Sequence, residues 1–123
     1  MNSKTILAVD DSATMREMIF RSLSDIGYQV VLAVDGIDAL DKLQADTSPA
    51  VIITDINMPR MNGIALIDRV RREGPNRTTP ILVLSTETDA SWKARAREAG
   101  ATGWITKPFN PERIAEAIRK VSM

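Results

Sequence analysis

Val51-Ile52-Ile53-Thr54-Asp55-Ile56-Asn57-Met58-Pro59 is an apolar, β-branched run of strand length that stops on a carboxylate, with Asn62-Gly63 close behind. Lacking polar alternation, Val51 to Thr54 reads as a strand buried on both faces, as in a parallel sheet. Ligands of open parallel sheets bind beyond the carboxyl ends of the strands, which is where Asp55 stands. Alone, an Asp after a strand is usually a turn or cap residue. Its meaning depends on what else reaches the same edge.

Working outward, Thr5 to Val9 is a second buried-strand run, ending in Asp10-Asp11. From Ser12 the period becomes helical: Met15, Met18, Ile19, Leu23 and Ile26 share a face, and Gly27 is placed as a stop. Thr14 with Glu17 has capping-box spacing, and Ser12 is an equal candidate for the cap. Tyr28 to Ala33 reads as a strand; Asp35-Gly36 opens a helix with Ile37, Leu40 and Leu43 inward; Ser48-Pro49 punctuates before the central strand. After Asn62-Gly63 a helix turns Ile64, Ile67 and Val70 to one side and breaks near Glu73-Gly74-Pro75. Pro80 to Leu84 is the next strand, closing on Ser85-Thr86-Glu87. Asp89 caps a helix with Trp92, Ala96 and Ala99 inward, ended by Gly100. Gly103 to Thr106 is a short strand followed by Lys107-Pro108. Asn110-Pro111-Glu112 then starts a helix striped with Ile114, Ile118 and Val121. Five strands alternating with five helices predict an α/β fold with a parallel sheet covered on both faces. They are too few for a closed eight-stranded barrel, which leaves the open doubly wound form.

The composition narrows the chemistry. With 123 residues and 44% hydrophobic content, the chain has the size and core of one globular domain. Sixteen basic and sixteen acidic residues cancel, so no bulk charge favours nucleic acid or an anionic membrane. The Arg69, Arg71, Arg72 and Arg77 cluster reads as a solvated helix face. Absent Cys and His exclude disulfides, thiolate or imidazole metal sites and His-based triads. No run is long and apolar enough to span a membrane and no signal-peptide layout opens the chain; a cytoplasmic protein is expected.

In a right-handed open sheet all strands end at one edge, which gathers Asp10, Asp11, Asp55, Ser85 and Lys107. Two carboxylates about 4 Å apart repel by roughly 4 kcal/mol at an effective dielectric of 20. One divalent cation plus Lys107 neutralises the three carboxylates. The ligands are hard oxygens, for which Mg²⁺ is the natural cation, and Mg²⁺ with a lysine suits a phosphoryl group. Each residue also has a plainer reading: Asp10 and Asp11 as caps, Ser85 as an ordinary strand-end hydroxyl, Trp104 as core.

Taken together, Asp10-Asp11, Asp55 with Met58-Pro59 and Asn62-Gly63, Ser85, and Lys107-Pro108 resemble the receiver domain of two-component response regulators. The likeness runs from about Lys4 to the C-terminus, in that family's order and spacing. It implies a flavodoxin-like sheet of order 2-1-3-4-5 and one receiver domain over residues 1–123 without an output domain, as in the single-domain chemotaxis regulators. By the resemblance, Asp55 is the phosphoacceptor, charged by a partner histidine kinase. Asp11, Asp55 and the Asn57 backbone carbonyl ligate Mg²⁺, with Asp10 assisting through water. Lys107 neutralises phosphoryl oxygens, Ser85 hydrogen-bonds one of them, and Trp104 takes the place of a switch aromatic.

Some positions depart from the pattern. Ser85 stands for the commoner Thr, Thr86 for a smaller residue, and Ser12 for an aromatic of the enteric chemotaxis regulator; Asn57 and Glu87 match that regulator. Ala117 replaces a lysine of its motor-binding surface. The expected protein is a monomeric phosphorylation switch, not an enzyme in the ordinary sense. Its expected target is a partner such as a flagellar motor switch protein, with neither nucleic-acid binding nor membrane insertion. A phosphorelay shuttle or phosphate sink is the alternative within the fold. A haloacid-dehalogenase-type phosphatase is the alternative outside it, disfavoured because Asn57 stands where that chemistry needs a second Asp.

Overall fold

The three least polar runs become the three inner strands. In the computed structural model, which describes residues 4–45, 49–58, 60–73, 76–86, 89–107 and 110–122, these are β1 (Thr5–Val9), β3 (Val51–Thr54) and β4 (Ile81–Ser85). The edge strands are β2 (Gln29–Ala33) and β5 (Gly103–Thr106), and the all-parallel order is β2-β1-β3-β4-β5. The five helices are α1 (Ala13–Ser24), α2 (Gly36–Gln44), α3 (Gly63–Arg72), α4 (Ala90–Ala99) and α5 (Pro111–Val121). Ser48, Pro59, Gly74, Pro75, Glu87 and Pro108, singled out in the sequence, lie outside the described residues.

Strand alternation divides the core into two. Leu7, Val9, Ile52, Ile81 and Val83 point to the face covered by α2, α3 and α4, where Ala39, Leu66, Ile67, Val70 and Ala96 meet them. Ile6, Ala8, Val51, Ile53, Leu82 and Leu84 point to the other face, against Ile19 and Leu23 of α1 and Ile114 and Ile118 of α5. A helix-covered parallel strand is wet on neither side, which is why these runs show no polar alternation. Among the described residues no helix is long and apolar enough to cross a membrane.

Every helix opens on a side-chain cap. Ser12, Asp35, Asn62, Asp89 and Asn110 each accept a hydrogen bond from a backbone N–H of the first turn, an arrangement worth about 1 kcal/mol per helix. The Ser12 hydroxyl takes the Met15 N–H at 3.2 Å, and Thr14 lies inside α1. That decides between the two candidates. At the other end, Gly100 closes α4 with φ +119° and donates to the Ala96 and Arg97 carbonyls.

Several inward positions shift from the sequence expectation. Met18 and Ile26 are exposed. Met18 sits at the rim of the α1 stripe, and Ile26 lies beyond the helix, in the turn that Gly27 makes at φ +101°. In α2 the centre of the buried face is Ala39 with Leu43, and Ile37 and Leu40 flank it half-buried. In α3 the buried Leu66 was not expected, while Ile64 is half-buried. Strands β2 and β4 begin one residue later than expected, at Gln29 and Ile81, and β4 includes Ser85.

Arg71 belongs to no solvated face. Its guanidinium donates to the carbonyls of Gly100 (3.0 Å), Arg77 (2.9 Å) and Thr79 (2.6 Å), tying α3 to the end of α4 and to the approach to β4. Burial pushes its pKa down without discharging it. Arg71→Met keeps the apolar stem and strands three carbonyls, so it is expected to destabilise the fold by about 2–3 kcal/mol. Urea unfolding measures this, and the neighbouring Arg72→Met, whose partner Asp68 is one helical turn away on the surface, should cost well under 1 kcal/mol.

Candidate functional site

The sheet ladder continues one step past the strand ends and fixes the site residues by their backbones. Asp10 N–H donates to the Ala33 carbonyl (3.1 Å), Asp55 N–H to Val9 (3.1 Å) and Lys107 N–H to Ser85 (2.8 Å). Parallel register alone therefore brings Asp10, Asp55 and Lys107 to one edge, although 97 residues separate Asp10 from Lys107.

Carboxylate oxygens of Asp10, Asp11 and Asp55 all lie within 4.8 Å of one another. Lys107 Nζ reaches Asp10 Oδ2 at 2.9 Å and Asp55 Oδ2 at 3.2 Å. Asp10 is nearly enclosed, its side chain 2% exposed, whereas the side chains of Lys107 and Asp55 keep 11% and 12%. Asp11 is exposed. The trio thus runs from a sealed carboxylate to an open one, with the nucleophile candidate between them. Burial pushes the Lys107 ammonium's pKa down, but the Asp10 hydrogen bond and charge, then the Asp55 charge and hydrogen bond, outweigh it. Its pKa lies above the ordinary lysine value, so the cation is firmly charged at neutral pH. The remaining carboxylate oxygens are oriented by the chain: Ser12 N–H donates to Asp10 Oδ1 (2.9 Å) and Ile56 N–H to Asp55 Oδ1 (2.6 Å). Arg16 holds the same corner through the Asp10 carbonyl at 2.8 Å.

The donor set fits a small hard cation: oxygen ligands only, concentrated negative charge, and one carboxylate open to water. Asn57, two residues past Asp55, is exposed in the loop before α3, so its carbonyl is placed after the same strand end. Ser85 is fully buried at the end of β4, next in the sheet to Thr106 of β5. Trp104 does not join the cluster. It lies two residues back along β5, opposite Val83, half-buried against the α2–α4 core. Its buried indole N–H has no hydrogen-bond partner among the described residues, and such an orphan costs about 1–3 kcal/mol. Lys93 Nζ stands 6.0 Å from the ring centroid, at the outer limit of a cation–π contact.

Three residues of the site's support were not read from the sequence as such. Gly63, noted as a turn residue, packs on the phosphoacceptor candidate's own backbone: a Cβ there would lie 2.0 Å from the Asp55 carbonyl oxygen. Arg60 takes φ +65°, the left-handed region that costs a branched-off side chain roughly 1–2 kcal/mol. Its guanidinium forks onto Asp35, Nε to Oδ2 at 2.7 Å and Nη2 to Oδ1 at 2.9 Å. The Arg60 hydrogen bond holds the Asp35 carboxyl below its ordinary pKa, against the opposing effect of burial. Oppositely charged residues 25 positions apart on two loops carry no periodic signal, which is why the pair was missed.

Known proteins resemble the chain along nearly its whole length. Residues 6–119 match the response regulator receiver domain family. The chain is 40% identical over 117 residues to the chemotaxis protein CheY1 of Helicobacter pylori, covering 94% of each. It is 36% identical over 114 residues to protein PilG of Pseudomonas aeruginosa, covering 93% of this chain and 84% of that one. The crystallised chemotaxis response regulator CheY4 of Vibrio cholerae, 43% identical, superimposes with a TM-score of 0.91 over 98% of this chain and 99% of its own. Sequence and superposition agree along nearly the whole length, and on that agreement the chain belongs to the response regulator receiver domains, among their CheY-like members.

Proposed function

We propose that this receiver is a Mg²⁺-dependent phosphorylation switch of a chemotaxis-type pathway, with Asp55 as its phosphoacceptor. The observation that carries the reading is the carboxylate trio within 4.8 Å, bridged by a lysine that touches Asp10 and Asp55. An Asp55 oxygen attacks the phosphorus of a partner kinase's phosphohistidine. The P–N bond breaks, its electron pair leaves with the imidazole, and an acyl phosphate forms on Asp55. Asp11, Asp55 and the Asn57 carbonyl would hold Mg²⁺, with Asp10 acting through water; bound there, the ion supplies neutralisation of phosphoryl charge. Lys107 supplies a second positive charge to the transferred group, and Ser85 donates its hydroxyl to a phosphoryl oxygen. This is catalysis by positioning and charge.

The switch reading rests on Ser85 and Trp104, which lie on neighbouring strands β4 and β5. Drawing the Ser85 hydroxyl to the phosphoryl group makes room beside β5, and rotation of Trp104 gives its N–H, which has no partner among the described residues, a route to one. The open groove between α4, β5 and α5, lined by Lys93, Trp104, Arg113, Glu116, Ala117 and Lys120, is the face such a rotation alters. A downstream protein, such as a motor switch component, is expected to bind there.

The test is a Mg²⁺ titration followed by activation with beryllofluoride. Asp11→Ala should weaken Mg²⁺ more than Asp10→Ala, because direct ligation is assigned to Asp11. In a Trp92→Phe background, beryllofluoride with Mg²⁺ should change the Trp104 emission. Equal losses in the two Asp variants would refute the ligand assignment, and a silent Trp104 in demonstrably activated protein would return that residue to the core.

A further inference from the structure

The loop between Asp55 and α3 is held at both ends. Upstream, Ile56 is fully buried, gives its N–H to Asp55 Oδ1 and takes the Gly63 N–H on its carbonyl at 2.9 Å. Downstream, two consecutive residues dock on the head of α2. Arg60 makes its two-pronged contact with Asp35, the α2 cap. Met61 fills a slot that exists because residue 36 is glycine; a Cβ there would come within 2.7 Å of its Cγ. The α2 head is itself rigid, since Asp35 also caps Asp38 at 2.9 Å and Ala39 is fully buried beneath it.

Asn57 lies between these anchors. The ion pair is also lopsided in a telling way: the Asp35 side chain is 5% exposed and that of Arg60 is 59% exposed. The carboxylate is thus the enclosed receptor, and the arginine is the solvent-facing half. A planar guanidinium meeting both oxygens fixes orientation as well as distance, which a lysine cannot do.

We propose that Arg60 is a positioning residue, whose grip on Asp35 at the head of α2 sets the Asn57 loop for Mg²⁺. The proposal rests on the Mg²⁺ reading above and adds to it a residue that touches neither metal nor phosphoryl group.

The experiment uses the intact chain and two readouts, Mg²⁺ affinity from amide shifts in NMR and amide hydrogen exchange of metal-free protein. Arg60→Gln should weaken Mg²⁺ about tenfold, the low end for a supporting residue of a metal site, and should speed exchange at Ile56, Asn57, Met58, Arg60 and Met61 while α1 and α5 keep their protection. Asp35→Asn retains the capping oxygen and should give a similar loss. The double variant should be no worse than the poorer single one, because both remove one contact. Arg60→Lys should recover part of the affinity. Unchanged affinity in Arg60→Gln, with or without faster exchange, overturns the proposal, as does an additive double variant. A wild type that binds no Mg²⁺ in the parallel titration overturns the proposed function itself, so the two failures are told apart.

Discussion

Asp55→Asn is expected to abolish phosphoryl incorporation from acetyl phosphate and Mg²⁺, read as the loss of the added mass on the intact protein. The amide keeps the shape of the carboxylate, and its oxygen can still accept the Ile56 N–H that now meets Oδ1 at 2.6 Å. What disappears is the anionic oxygen that Lys107 approaches at 3.2 Å, and an amide is not a nucleophile toward phosphorus. Asp10 and Asp11 remain within reach of the same space, yet neither should substitute. Asp10 is committed to Lys107 and to Ser12 N–H, and Asp11 stands on the open side of the cluster. The same mass addition on the Asn variant would remove Asp55 from its role.

Gly63→Ala is expected to be the most damaging of the alanine substitutions at the described glycines. A Cβ at 2.0 Å from the Asp55 oxygen, and 3.0 Å from both the Asp55 carbonyl carbon and Ile56 Cα, meets backbone atoms that cannot rotate away. Either the start of α3 lifts, breaking the Gly63–Ile56 hydrogen bond, or β3 is displaced at its last residues. Overpacking of this kind costs about 3 kcal/mol or more. Urea unfolding gives the stability loss, and acetyl phosphate labelling of the surviving folded protein should also fall, because the displaced atoms belong to Asp55. Gly27→Ala is the control: nothing lies within 4 Å of its Cβ position, so only the backbone penalty of its φ of +101° applies, about 1–2 kcal/mol.

Much of this architecture was legible because strands buried on both faces leave an unambiguous mark. Val51 to Ile53 admits no polar residue facing either helix layer, and Thr54 with the abrupt Asp55 locates the edge. The helix starts were legible too, since Ser12, Asp35, Asn62, Asp89 and Asn110 are residues whose short side chains reach back to the first turn. Helix width was not. A 3.6-residue period shows that Met18 shares a side with Ile19, but not how far the sheet extends under that side, and Met18 proves to be beyond it. The trio and Lys107 could be gathered from topology alone because parallel register carries them there. Arg60 and Arg71 could not, since each is defined by carbonyls or a carboxylate on distant loops. A charge on a helix or turn reads as solvated until its acceptors are known.

The ladder bonds that run past the strand ends have a thermodynamic consequence. Since Asp10, Asp55 and Lys107 take their positions from inter-strand pairing, the cluster has no local melting transition separate from that of the sheet. A cation or phosphoryl analogue held there is therefore linked to global unfolding: at ten times its dissociation constant a ligand adds about 1.4 kcal/mol to the whole domain. The midpoint of denaturation becomes a gauge of occupancy, and calorimetry on the entire chain reports what is bound at one edge.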